Sequence, residues 1–274
     1  MINFNQREKQ KIKSDIERQG FSLISDFWEL DKLRKLEKQL DFLINEYINK
    51  ISQHKNGKDI CSTLSKYYPE SLGEIYDLIA YSDTFLNLIS GDLADIVRIA
   101  LDLPIEKPLY SWQHRILMQL PFCNQRLSNW HQEIFYTIPF STKFLQCWFP
   151  LFEDANENNG SIWLLPKSHK EGYALSKVYY PKDRIMQITV DNSVVEKYQP
   201  IQMNVKRGDL IIFEGSLIHK SGENKSDKTR FSIVGMFHDL SASDKISIPK
   251  PEYKYRGISP LDWHKKVFSP ESLD

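Results

Sequence analysis

The sequence predicts an α+β fold in which a helical part, about residues 1–105, precedes one closed β-structure, about residues 109–240. In the first part, apolar residues recur at helical spacing. In the second, short apolar runs alternate with turn-forming residues, as in a sandwich or barrel of the jelly-roll type. We expect a single domain over residues 1–274, because helices of this kind need a sheet to cover. The polar tail, 241–274, is expected to wrap the surface.

The helical part begins with a charged helix over residues 9–18 that Gly20 ends, followed by a short strand from Phe21. From Leu30 onwards, the apolar pattern predicts one long amphipathic helix whose buried stripe is core packing. The stripe consists of Leu33, Leu36, Leu40, Leu43, Ile44, Tyr47, Ile48 and Ile51. Residues 52–70 are polar and predict a loop, and a second helical region follows until Pro104.

The β part is predicted from apolar runs separated by turn signals. Its expected strands cover residues 109–120, 143–152, 161–166, 201–205, 209–213 and 230–237. The acidic, Asn-rich stretch 153–160 predicts a turn. Residues 172–200 are long and mixed, and they lie where a substrate lid would be.

Composition narrows the possible functions. Lys plus Arg and Asp plus Glu number 36 each in 274 residues, which argues against a nucleic-acid partner bound through a strong positive field. The three cysteines have neither disulfide nor zinc spacing, so a reducing cytoplasm is expected. The N-terminus lacks the apolar core of a signal peptide, and no apolar run reaches the roughly 20 residues of a membrane span.

The candidate chemistry centres on Trp130 to Glu133. If this stretch is extended, as the residues after it favour, His131 and Glu133 point to one face. A third candidate ligand, His219, follows a buried strand. Two histidines and one carboxylate with open positions form the facial triad of non-haem Fe(II) oxygenases. Taken separately, His131 and Glu133 also fit a polar pair on a strand surface, and His219 a hydrogen-bonded core histidine.

A candidate anion site lies near the third ligand. Arg230 is on the predicted strand after His219, and an arginine that points into a barrel is costly unless it meets an anion. Ser221, two residues after His219, could donate a hydroxyl to the same anion. A surface arginine on an edge strand is the alternative interpretation.

The order and spacing of these motifs resemble the phytanoyl-CoA dioxygenase family from about residue 12 to about residue 240. The start, Gln-Gly-Phe-Ser-Leu-Ile-Ser-Asp-Phe at 19–27, is similar to the family's N-terminal start. The remaining motifs are Trp-His-Gln-Glu at 130–133, Gln-Cys-Trp-Phe-Pro-Leu at 146–151, Asn-Asn-Gly-Ser-Ile-Trp-Leu-Leu-Pro-Lys-Ser-His-Lys at 158–170, Arg-Gly-Asp-Leu-Ile-Ile-Phe at 207–213 and His-Lys-Ser-Gly-Glu-Asn-Lys-Ser at 219–226, with Arg230.

The resemblance implies a double-stranded β-helix (cupin-like jelly roll) with N-terminal flanking helices. It also implies an Fe(II)- and 2-oxoglutarate-dependent dioxygenase that uses O2 and usually hydroxylates an unactivated C–H of a small molecule, releasing succinate and CO2. On this resemblance His131, Glu133 and His219 would hold iron. Arg230 would pair with the distal carboxylate of 2-oxoglutarate, with Ser221 assisting. The other positions carried over are Trp148, on the strand that lines the cosubstrate pocket, and His169, in a loop taken as structural rather than as a ligand.

One departure from the family concerns the carboxylate, which is usually Asp where this chain has Glu133. The extra methylene adds roughly 1.5 Å. A carboxylate at this position still argues against a halogenase site, in which a small residue replaces that ligand.

Residues near the motif strands are candidates for the substrate pocket, with plain core packing as the alternative for each. They are Trp112, His114, Phe135 and Tyr136. Within 172–200, the residues Tyr173, Tyr179, Tyr180, Lys182 and Arg184 could suit an anionic substrate or form a solvated loop.

Two other functions compete with the hydroxylase. One is a jelly roll without catalytic activity that binds a small acid or a partner, and the change to Glu133 is its only support. The other is a metal-dependent cupin enzyme, such as an isomerase, that uses no 2-oxoglutarate. The spacing of Arg230 from His219 argues against the isomerase, which needs no carboxylate clamp.

Overall fold

The computed structural model describes residues 4–50, 59–123, 127–136, 143–179 and 187–239. The predicted tail and the middle of the 172–200 segment therefore lie outside the described residues. Among the described residues, no helix has the length and apolar character that crossing a membrane requires.

The helices and strands follow the predicted order. The helices are α1 (Gln6–Gln19), α2 (Leu30–Lys50), α3 (Ile60–Tyr67), α4 (Pro69–Ala80), α5 (Asp83–Leu88), α6 (Ala94–Leu101) and the short α7 (Asn192–Val195). The strands are β1 (Phe21–Ile24), β2 (Tyr110–Gln119), β3 (Phe144–Leu151), β4 (Trp163–Leu164), β5 (Ser176–Tyr179), β6 (Gln187–Val190), β7 (Ile201–Gln202), β8 (Leu210–Glu214), β9 (His219–Lys220) and β10 (Arg230–His238).

The strands form a large sheet and a small one. The large sheet has the antiparallel order β1-β8-β3-β10-β2, and the small one the order β7-β4-β9. Strands β5 and β6 form a separate hairpin. This arrangement confirms the predicted α+β jelly roll.

The two faces of the large sheet serve different purposes, because neighbouring side chains on a strand point to opposite faces. On one face, residues such as Ile116 and Phe149 pack against the helices in the main core. On the other face, Trp148 and Val234 pack with Leu164 of the small sheet in a second core. The candidate ligands lie in the space beside this second core.

The predicted loop over residues 52–70 is wrong in its second half. Asp59 caps α3 by accepting a hydrogen bond from the Ser62 amide at 2.7 Å, and Pro69 occupies the first turn of α4. Proline is well tolerated at a helix N-terminus, where its missing N–H is not needed. Here Pro69 begins a helix rather than breaking one.

An ion pair between the buried Glu37 and the partly exposed Arg207 ties α2 to the large sheet. The guanidinium of Arg207 donates from Nε and Nη2 to the two carboxylate oxygens of Glu37, at 2.7 and 2.6 Å. Glu37 also accepts the backbone amide of Phe152 at 2.7 Å, just after β3. Next to Arg207, Asp209 accepts the amides of Asp26 and Lys206 at 2.9 and 3.1 Å. The Arg-Gly-Asp motif therefore joins the N-terminal segment, α2 and β8.

We expect Glu37→Gln to lower the free energy of unfolding by about 2–3 kcal/mol, because it leaves the largely buried guanidinium of Arg207 without its charged partner. Urea unfolding followed by circular dichroism measures this. Asp31→Asn is the matched control, because Asp31 pairs with Arg34 at the surface, 2.5 Å apart, where a pair contributes less than about 1 kcal/mol. Equal losses in the two variants would contradict this role for Glu37.

His238 at the end of β10 is buried without hydrogen-bond partners among the described residues, and its ring stacks on Phe144 at 4.2 Å. Burial lowers its pKa to about 4. Between about pH 6.5 and about pH 4, the unfolded chain therefore binds a proton at His238 that the folded protein does not bind. The free energy of unfolding consequently decreases as the pH is lowered through this range. When the pH is lowered from about 7.5 to about 5, the free energy of unfolding should decrease by about 2 kcal/mol less in His238→Phe than in the wild type. Urea unfolding at both pH values tests this, and equal losses would contradict it.

Candidate metal centre

His131 and His219 are held opposite each other by the backbone. Each donates its amide N–H to the other's carbonyl at 3.0 Å, although they are far apart in the sequence. His219 begins β9, and His131 directly precedes the turn that carries Glu133. The ring centroids of the two histidines lie 4.2 Å apart.

The prediction that the chain stays extended after His131 is wrong. Glu133–Tyr136 form a 3-10 turn. Gln132, which is fully buried, holds this turn by donating from Nε2 to the carbonyls of Gly172 and Ser216 at 2.8 and 2.5 Å and by accepting the Ala174 amide at 2.9 Å. These tertiary hydrogen bonds override the strand propensity of Ile134, Phe135 and Tyr136.

The three candidate ligands converge despite this turn. Ligand atoms of His131, Glu133 and His219 all lie within 4.8 Å of one another, and all three residues are buried. Nδ1 of His131 contacts the carbonyl of Asn129 at 2.7 Å, and Nδ1 of His219 that of Leu217 at 2.9 Å. A carbonyl accepts only, so each Nδ1 carries the proton and each Nε2 keeps a free lone pair, as in metal-binding histidines.

The electrostatics put the ligands into metal-binding protonation states. Burial raises the pKa of Glu133, but the neighbouring His131 and the positive charge of Arg115 outweigh it and bring the pKa to about 2. Burial, with the neighbouring His131, lowers the pKa of His219 to about 3. At neutral pH Glu133 is therefore an anion and His219 is neutral. Together with the geometry, the donor set fits Fe(II).

Arg115 is a site residue that the sequence reasoning missed. It lies on β2, and its Nη2 is 3.7 Å from Oε1 of Glu133.

Lys220 was also missed, and its ammonium lies 4.7 Å from the ring centroid of Trp130 and 5.4 Å from that of Trp163. Both cations line the cavity that contains the three ligands. The sequence did contain a signal for Arg115, because it is a charged residue on a predicted strand of the barrel, where alternate side chains point inwards.

Arg230 enters the same cavity from the start of β10 and is 4% exposed. Its hydrogen-bond partners are neutral: the Ser232 hydroxyl at 2.6 Å and the carbonyls of Asn159 and Gly160 at 3.3 and 3.1 Å. The guanidinium also lies 5.4 Å from the ring centroid of Trp148. Burial lowers its pKa to about 10. Among the described residues no carboxylate pairs with this buried cation, so the pocket fits a ligand anion.

The other predicted cosubstrate residues line this cavity too. Trp148, on β3, is buried, and Ser221 directly follows β9. The 158–170 segment predicted as structural supplies the carbonyls that orient Arg230. His169 lies outside the cavity, where its Nε2 contacts the carbonyl of Glu17 at 3.1 Å.

The four predicted substrate residues fall in different places. Tyr136 and Phe135 lie in the 3-10 turn, with the Tyr136 ring 5.7 Å from that of His131 and the Phe135 ring 6.0 Å from that of Tyr173. His114 faces the helical side, where its ring lies 5.5 Å from that of Phe237 in the main core. The side chain of Trp112 lies outside the described part of the structure.

The 172–200 segment folds partly as the β5–β6 hairpin, beside the turn that carries Glu133. The Tyr136 hydroxyl accepts the amide of Ile188 on β6 at 2.6 Å. Tyr173 packs against the second core, next to the cavity. Tyr180, Lys182, Arg184 and the side chain of Tyr179 lie outside the described residues.

The sequence of this chain is similar to that of a known enzyme family. The family model described as phytanoyl-CoA dioxygenase matches residues 16–232. The chain belongs to the phytanoyl-CoA dioxygenase family. A phytanoyl-CoA dioxygenase of Arabidopsis thaliana is 26% identical over 235 residues, which cover 77% of this chain and 82% of that protein. The predicted family and the predicted dioxygenase type of enzyme are therefore confirmed.

Solved structures of the same fold include proteins with bound ligands. The epimerase SnoN, in complex with Fe3+, alpha ketoglutarate and nogalamycin RO, has a TM-score of 0.62 at 15% identity and covers 86% of this chain and 85% of its own. EctD from S. alaskensis, with 2-oxoglutarate and 5-hydroxyectoine, has a TM-score of 0.60 at 18% identity and covers 87% of this chain and 77% of its own. At these identities the likeness establishes the fold.

At Gly160, in the motif at 158–170, the backbone conformation and the close packing of a neighbouring segment both require glycine. Its φ is +81°, and an added Cβ would lie 2.7 Å from the Gly222 carbonyl oxygen. We expect Gly160→Ala to cost about 1–3 kcal/mol more in stability than Gly172→Ala. Gly172 is the matched control, because its φ is +63° but nothing lies within 4 Å of an added Cβ. Urea unfolding of both variants tests this, and similar losses would show that the close approach at Gly160 is unimportant.

Proposed function

We propose that this protein is an Fe(II)- and 2-oxoglutarate-dependent dioxygenase that hydroxylates an unactivated C–H of a small-molecule substrate. The substrate C–H bond breaks and a C–O bond forms with one oxygen atom of O2. The other oxygen atom ends in succinate as 2-oxoglutarate loses CO2. The observation that carries the proposal is the convergence of His131, Glu133 and His219 in one buried cluster beside Arg230, which pairs with no carboxylate in the described part of the chain.

In this proposal Nε2 of His131, Nε2 of His219 and the carboxylate of Glu133 hold the iron. The hydrogen bonds of both Nδ1 atoms to carbonyls support it, because they orient both rings before the metal binds. The longer reach of Glu133, compared with the usual Asp, is matched by its position at the start of a 3-10 turn instead of on an extended strand. Three protein ligands leave positions open for the cosubstrate and O2.

Arg230 is proposed to bind the distal carboxylate of 2-oxoglutarate. Its planar guanidinium suits a carboxylate, and the Asn159 and Gly160 carbonyls and Trp148 already hold it in place. Ser221 is proposed to add a hydroxyl donor from the cavity wall.

The protein contributes position and exclusion of water. When bound, iron and 2-oxoglutarate supply the oxidation by O2, and the chain holds them in a cavity whose walls include the apolar side chains of Ile162, Phe213 and Val234. We propose that the helices and the jelly roll act as one domain around this site, with a small-molecule substrate as its partner.

The direct test is anaerobic titration of the Fe(II)-loaded protein with 2-oxoglutarate, followed by the visible charge-transfer band of the chelate. We expect a band in the wild type. Glu133→Ala is expected to lose iron, because only two histidine ligands remain. Arg230→Ala is expected to weaken 2-oxoglutarate binding on the order of 30-fold or more, because a buried charge pair is removed.

Two surface variants serve as matched controls. Glu171→Ala and Arg34→Ala remove the same charges outside the cavity and should titrate like the wild type. Circular dichroism checks that every variant is folded. A folded wild type that retains no iron and gives no band would overturn the proposal and favour the jelly roll without catalytic activity.

A further inference from the structure

The cavity extends past the metal ligands, away from Arg230. On the large sheet, Arg230 begins β10, whereas Arg115 is opposite Val234 and Gln146 is opposite Met236, further along that strand. At the rise of an antiparallel strand, these positions lie about 14 and 20 Å from Arg230. Arg115 and Gln146 both line the cavity, at the end that the proposed 2-oxoglutarate position leaves free.

Gln146 presents an unused hydrogen-bond donor at this end. Its side chain is 2% exposed, and its amide nitrogen has no hydrogen-bond partner among the described residues. Burying an unsatisfied polar group costs free energy, so a buried amide that faces a cavity is prepared for a ligand acceptor. The other residues of β3 that face this side are Phe144, Trp148 and Pro150, and the indole N–H of Trp148 is the one side-chain donor among them.

Arg115 presents a second set of donors. Its contact with Glu133 is 3.7 Å long, which exceeds a hydrogen bond, and no hydrogen bond of its guanidinium occurs within the described ranges. Its side chain is 44% exposed, so a ligand can reach it from solvent.

The charge of the loaded site also favours an anion. Fe(II) and Arg230 would balance Glu133 and the two carboxylates of 2-oxoglutarate. Arg115 then leaves one positive charge, and the half-buried Lys220 adds to the positive potential of the cavity. This surplus of positive charge near the metal ligands favours an anionic group, such as a carboxylate, on the substrate.

We infer that Gln146 and Arg115 bind the carboxylate of the organic substrate, so that the substrate is a small organic acid whose C–H group reaches the metal ligands. This inference rests on the proposed function. The amide of Gln146 and the guanidinium of Arg115 donate to the carboxylate oxygens. The same contacts favour the carboxylate over its neutral analogue, because the analogue offers the Arg115 guanidinium no negative charge.

The test uses linear and aromatic carboxylates from butanoate to dodecanoate and 4-phenylbutanoate, each beside its primary amide. Each is added anaerobically to the protein loaded with Fe(II) and 2-oxoglutarate, and the shift of the charge-transfer band gives its dissociation constant. We expect carboxylates to shift the band and to bind more tightly than their amides. Gln146→Glu should weaken carboxylate binding about tenfold or more, because it replaces a donor by a like charge.

Three further variants complete the design. Gln146→Leu, which removes the donor without adding charge, and Arg115→Gln should each weaken carboxylate binding and reduce the preference over the amide. Gln202→Glu is the matched control. Gln202 lies on β7, donates to the Ser161 carbonyl at 3.3 Å and does not line the cavity. It should bind the carboxylates like the wild type.

The outcomes separate this inference from the proposed function. A wild-type band that no carboxylate shifts, amides that bind as tightly as carboxylates, or a Gln146→Glu variant that binds like the wild type would each overturn the carboxylate site alone. Absence of any band in the wild type before a carboxylate is added would overturn the proposed function and, with it, this inference.

Discussion

The candidate site depends on the paired backbone hydrogen bonds between His131 and His219. These bonds fix two distant parts of the chain at one spacing and so place both imidazoles on the same side of the cavity. The side-chain amide of Gln132 adds a further constraint, because it hydrogen-bonds the backbone groups of Gly172, Ala174 and Ser216. These bonds hold the turn in which Glu133 faces the histidines. This turn explains how the Glu133 carboxylate, with its extra methylene, can occupy the place where the family usually has the carboxylate of an Asp.

A second constraint is the accumulation of buried charge around the cavity. Glu133 and Arg230 are nearly inaccessible to water, and Arg230 has only neutral partners among the described residues. Such groups are expensive to bury. The Glu37–Arg207 pair and the Asp209 turn, which brace the sheet from the helical side, provide part of the rigidity that keeps these groups in place.

Much of the fold and of the candidate ligand set was predictable from the sequence, because both follow from local patterns. Helical spacing predicted one long helix from Leu30, as α2 shows, and the order of motifs identified the family. The turn after His131 was not predictable, because Ile134, Phe135 and Tyr136 favour a strand and only tertiary bonds from Gln132 decide otherwise. Arg115 was missed because its partner lies on another element. Gln146, a lone amide in the otherwise apolar β3, was a visible signal that the sequence reasoning did not use.

The central claim is that this chain binds 2-oxoglutarate through a metal held by His131, Glu133 and His219. Anaerobic isothermal titration calorimetry of 2-oxoglutarate, with and without Fe(II), tests it most directly. We expect one binding site per chain, with high affinity only when Fe(II) is present. Equal affinity with and without the metal would contradict the account, because Arg230 alone would then explain the binding and the three residues would have no part in it.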